Sequence, residues 1–156
     1  MENGLEDVKP YLDAAKQLGI FSTLVDKADS FGMTPLYGAS MEGHLEVVEF
    51  LVNNEALIDK VTDDGRTPLF VASEEGHLEV VEYLLQKGAT VDKADNDGMT
   101  PLMRASYGGH LDIVYVLLKH NSDIHVKNKD GDTALDRARQ KGQTEIVKAL
   151  EQHLGY

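Results

Sequence analysis

Residues 34–51 read Thr34-Pro35-Leu36-Tyr37-Gly38-Ala39-Ser40-Met41-Glu42-Gly43-His44-Leu45-Glu46-Val47-Val48-Glu49-Phe50-Leu51. The stretch encodes two short helices and a turn. Thr34 is a natural N-cap, and Pro35 suits the first helical position, where a missing N–H costs nothing. Leu36 and Ala39 give this first helix a thin apolar face. Gly43 permits a tight turn that a residue with a Cβ would resist. In the second helix Leu45, Val48 and Leu51-Val52 keep helical spacing, while Glu46 and Glu49 face water.

The same text recurs. Thr-Pro-Leu stands at 34–36, 67–69 and 100–102, with Thr133-Ala134-Leu135 as an altered copy. Gly-His-Leu stands at 43–45, 76–78 and 109–111, with Gly142-Gln143-Thr144 in the matching place. Gly32, Gly65, Gly98 and Gly131 keep the same interval, which is 33 residues throughout. A fixed period of this size means a stack of like units. They run 29–61, 62–94, 95–127 and a shortened 128–156. After the second helix, Gly88 and Asn121 fit a left-handed C-cap. Glu55 holds that place in the first unit, and a local deviation is expected there.

These motifs resemble the ankyrin repeat, over residues 29–156. The resemblance implies an all-α repeat solenoid, in which helix-turn-helix units stack and β-hairpin fingers project from one edge. Fingers and first helices would form a concave, protein-binding surface. The histidine that follows Thr-Pro-Leu in the family is replaced by Tyr37, Phe70, Met103 and Asp136. Asparagine on the turn after the second helix is hydroxylated in some ankyrin-like proteins. Asp26, Asp59, Asp92 and His125 stand there, and are read here as solvated turn residues.

The ends read as caps of a single domain. Thr144 and Glu151 replace core-type leucines and give the last unit a polar face. Residues 1–28 lack the motifs, yet Leu12, Ala15 and Leu18 align with Leu45, Val48 and Leu51. Val25-Asp26-Lys27-Ala28 is repeated as Val91-Asp92-Lys93-Ala94. This segment is expected to be a diverged N-terminal unit, with Pro10 between its two helices. Two caps would make the chain a complete folding unit.

Composition narrows the function classes. The 156 residues contain no cysteine, so disulfides, thiol nucleophiles and Cys-based zinc sites are excluded. No apolar run reaches the roughly 20 residues that span a bilayer, and the acidic N-terminus lacks a signal-peptide pattern. The expected setting is cytoplasmic or nuclear, and the expected state a monomer. The net charge is −12, which repels nucleic acid and anionic lipid. It is uneven: −2 for residues 1–28, then −5, −4, −1 and 0 for the four units.

No enzyme or cofactor signature emerges, and none is expected. His44, His77 and His110 would be separated by about the 8–10 Å spacing of packed helices, too far to share one zinc ion. They are read as hydrogen-bonding groups at the turns between units. Asp95-Asn96-Asp97-Gly98 begins like a calcium loop, but Ser106 stands where the loop needs glutamate. Acidic neighbours such as Glu74-Glu75 belong to solvated turns.

The residues that break the repeat carry the binding reading. They precede Thr-Pro-Leu and Gly-His, where the family lines its finger tips and inner helix edges. Methionine and aromatic side chains gather there, as they do at interfaces. The candidate partner-binding set is Phe31, Met33, Tyr37, Met41, Asp64, Arg66, Phe70, Glu74, Met99, Met103, Arg104 and Tyr107. Tyr37, Phe70 and Met103 also have a second reading, as fillers of the space left by the missing histidine. Asp63, Asp64, Glu74 and Glu75 could receive lysine or arginine, so the expected partner is a protein with basic and apolar elements. The alternative is an engineered or structural scaffold with no natural partner on that face.

Overall fold

Each first helix begins at its threonine. Thr34, Thr67 and Thr100 accept the backbone N–H of Tyr37, Phe70 and Met103 at 3.1–3.2 Å. Thr133 does the same for Asp136, whose carboxylate accepts the Thr133 N–H in return, closing a capping box. In this computed structural model, residue 10 and residues 13–155 are described. The helices are α1 (Phe21–Leu24), α2 (Pro35–Met41), α3 (Leu45–Asn53), α4 (Pro68–Glu75), α5 (Leu78–Gln86), α6 (Pro101–Gly108), α7 (Leu111–Lys119), α8 (Ala134–Gln140) and α9 (Thr144–Leu154). Residues 13–17 are helical as well. None of these helices is long and apolar enough to cross a membrane.

The first helices α2, α4, α6 and α8 form an inner row, and α3, α5, α7 and α9 an outer row. Neighbours in the inner row pack far more closely. Buried small residues allow it: Ala39-Ser40, Ala72-Ser73, Ala105-Ser106 and Ala138. Unequal spacing bends the stack, with the inner row and the fingers on the concave side. Leu36, Leu69, Leu102 and Leu135 run as one buried column, and Leu51, Leu84, Leu117 and Leu150 as another. The apolar core is therefore a spine along the stack, built from contacts between neighbours.

The histidines tie successive units. His77 donates through Nε2 to the Met41 carbonyl at 2.8 Å, and His110 to that of Glu74 at 3.0 Å. Gln143 continues the series with the Tyr107 carbonyl at 3.3 Å. This also explains Gly43, Gly76 and Gly109: Gly76 has φ 85°, and a Cβ there would lie 2.6 Å from the His110 ring. Among the described residues, no group of three or more His, Asp or Glu could hold a metal ion.

The fingers are tight turns, and no β-strand occurs among the described residues. This corrects the hairpin expectation. Each arm is too short for a ladder, and a side chain staples the turn instead. Asp29, Asp95 and Asn128 each accept two backbone N–H groups of their own finger at 2.8–3.0 Å. One backbone bond then joins each finger to the next, as from Asp63 to the Phe31 carbonyl at 3.0 Å.

Two further expectations are corrected. Glu55 causes no deviation: its φ is 68°, beside 91° at Gly88 and 61° at Asn121. Packing of the outer helix imposes the cap geometry, and the side chain bears the strain. Glu55→Gly is expected to stabilise the protein by about 1 kcal/mol, read as a higher urea midpoint with an unchanged slope. In the N-terminal segment, Pro10 is itself helical, and the break falls after residue 17, with Gly19 at φ 69°. The left-handed cap thus comes three residues early relative to Glu55. Leu18 consequently points outward, 73% exposed, instead of matching buried Leu51. Leu12 lies outside the described residues. Helix α1 makes up the lost length and turns Phe21 and Val25 into the core.

Candidate functional site

The concave face holds the variable band, but not every residue of it meets solvent. Phe31, at the first finger tip, is 65% exposed. Met33 and Met41 lie partly exposed in the same unit, and Asp64 is exposed at the next tip. Tyr37, Phe70, Met99 and Met103 are buried, with Phe70 at 0% exposure. For these four the contact expectation is corrected. A residue directly after Thr-Pro-Leu points between adjacent inner helices, where it fills the space the family's histidine would occupy. Met99 turns under its finger, where its sulfur accepts from the Asn128 amide at 3.3 Å.

Arg66, Arg104, Glu74 and Asp95 form one cluster around Phe70. Both guanidinium groups lie over the Phe70 ring, 5.5 and 5.4 Å from its centroid. Each is also paired with both carboxylates, at 3.3–3.9 Å. Asp95 does two jobs: its Oδ1 staples the third finger and its Oδ2 faces the arginines. Two positive and two negative charges cancel within the cluster. The expectation that Glu74 waits for a partner's cation is thus corrected, because it already serves two arginines. Tyr37 adjoins Arg66; burial raises its hydroxyl pKa above the usual value, against a lowering by that guanidinium.

The fourth unit repeats the motif with other residues. Arg137 and Lys141 lie 4.7 and 4.6 Å from the centroid of the Tyr107 ring. Asp132 neutralises Arg137 at 3.4 Å, but among the described residues no carboxylate pairs with Lys141. Asp136 is held below the usual carboxylate range by the Thr133 backbone and hydroxyl bonds.

With this architecture in view, the comparisons decide the family. The chain matches the family described as Ankyrin repeats (3 copies) over residues 8–95, and Ankyrin repeats (many copies) over residues 84–138. The chain belongs to the ankyrin-repeat family. No curated protein matches it. Ankyrin repeats are generally protein–protein interaction modules and are typically not enzymes. The first match includes residues 8–28, which lack the usual motifs.

Sequence reasoning missed one set of ankyrin residues. Asp26, Asp59 and Asp92, taken for solvated turn groups, link each unit to the next. Asp26 accepts the Leu57 N–H at 2.9 Å. Asp59 accepts both the N–H and the hydroxyl of Thr90, the latter at 2.6 Å. Asp92 accepts the Ser122 hydroxyl at 2.5 Å and the Asp123 N–H at 2.8 Å. Their exact recurrence at 33-residue intervals was the available signal, since solvated residues need not repeat.

Proposed function

We propose that this ankyrin stack binds another protein through its concave face, with the first full unit as the apolar anchor. One observation carries the reading: Phe31 stands 65% exposed at a finger tip, beside the partly exposed Met33 and Met41. The middle of the face is closed by its own ion pairs, so this corner is where apolar surface meets solvent. Asp63 and Asp64 lie exposed on the next tip, and the partner would bring lysine or arginine to them. Tyr107, Arg66, Glu74 and Arg104 would contribute their outer edges as rim. In the same reading, residues 29–61, 62–94 and 95–127 are full units of a single domain. Residues 1–28 and 128–156 are its end units.

Affinity capture tests this with three forms of the chain. Phe31→Ser/Met41→Ser is expected to keep its stability within about 0.5 kcal/mol of the parent and to lose partner capture. Tyr115→Ser, altered on the outer helix α7 where the ring is 54% exposed, should retain it. Loss of capture by the Tyr115 variant alone would move the site to the outer face. A scaffold without a partner on the concave face would capture the same proteins in all three forms.

A further inference from the structure

Equivalent positions of the four units form columns along the concave face, and the columns carry a charge order. At the end of the inner helix the column reads Glu42, Glu75, Gly108, Lys141. One turn earlier it reads Gly38, Val71, Arg104, Arg137, and at the finger tips Ser30, Asp63, Asn96, Lys129. These three columns become more positive toward the last unit, the tip column after its first member, whereas the adjoining tip column Phe31, Asp64, Asp97, Asp130 stays acidic. Internal pairing removes the second column from the contrast. Arg104 is cancelled by Glu74 and Asp95, and Arg137 by Asp132. Among the described residues, the members of these columns left without an ion pair are Glu42, Glu75 and Asp63 at one end, and Lys141 and Lys129, against one neighbouring Asp130, at the other.

We infer that the concave face selects an extended protein segment of matching dipolar order: apolar and basic residues over the first two units, acidic residues over the fourth. This rests on the concave-face reading proposed above and deepens it. The basic part of the segment would meet Glu42, Asp63 and Glu75, and its acidic end Lys141 and Lys129. Three inter-unit steps of 8–10 Å span about 27 Å, the length of about nine extended residues. A partner attracted by net charge alone would be uniformly basic. The dipolar order distinguishes a selective groove from a merely acidic surface.

The test uses the full chain at low salt and two labelled nine-residue peptides. One carries two leucines, then three lysines, then two glutamates, with serine spacers. The other has lysine in place of both glutamates. Each is made in both chain directions, and the tighter-binding direction is used, with affinity read by fluorescence anisotropy. The dipolar peptide is expected to bind about three- to fivefold tighter than the all-basic one. Lys141→Glu should reverse that preference while the circular dichroism spectrum stays unchanged. Tighter binding of the all-basic peptide to the parent chain would overturn the inference, as would an unchanged preference in Lys141→Glu. In either case, weakening by Phe31→Ser/Met41→Ser leaves the concave-face reading standing. Absence of binding by both peptides at millimolar concentration also overturns the inference, and the capture experiment then judges the underlying reading separately.

Discussion

Replacing Phe70 with alanine is expected to destabilise the protein by about 3–5 kcal/mol. The ring has no exposed surface and lies against the guanidinium groups of both Arg66 and Arg104. Its removal opens a cavity between α4 and the neighbouring inner helices and withdraws two cation–π contacts at once. Phe70→Leu should recover more than half of the loss, because most of the volume returns. Urea unfolding followed by circular dichroism measures both. In a stack held by neighbour contacts, the damage should show first as fraying of the units on either side. A Phe70→Ala variant within about 0.5 kcal/mol of the parent would mean that the ring is a surface residue.

Asp95→Ala is the second large effect, expected at about 3 kcal/mol. Two losses combine in it. The Asp97 and Met99 N–H groups lose their acceptor, and Arg66 and Arg104 lose the carboxylate buried beneath them. Asp95→Asn separates these terms. The amide oxygen still accepts both N–H bonds, but the charge is gone, so about half the loss should return. Equal costs for the two variants would assign the whole effect to charge. A neutral Asp95→Ala would show that neither the staple nor the ion pairs hold the third finger.

The architecture was legible because the repeat states it several times. Thr-Pro-Leu fixes a helix start, Gly-His a turn, and the period aligns the copies. What the sequence hid depends on distance across the stack. Nothing local to Phe70 says that its ring lies under two arginines, one four residues earlier and one in the next unit. Met99 reads as an exposed tip residue until its finger folds over it. Asp95 looks like the start of a loop, and its second oxygen finds its partners only when α4 and α6 are side by side. Leu18 misled for another reason. Residue spacing alone placed it in the core column, while Gly19 had already ended the helix. Phe31, Met33 and Met41 stand out in the sequence because the framework positions around them are so constant, and in the structure Phe31 is exposed and the two methionines partly so.

Where a partner docks is read most directly by amide hydrogen exchange of the full chain, with and without a captured partner. Protection should appear at residues 30–33 and 41–42 of the first unit and at 63–66 of the second finger, with the outer helices unchanged. Protection confined to α3, α5 and α7, with the finger tips exchanging as in the free chain, would contradict binding through the concave face.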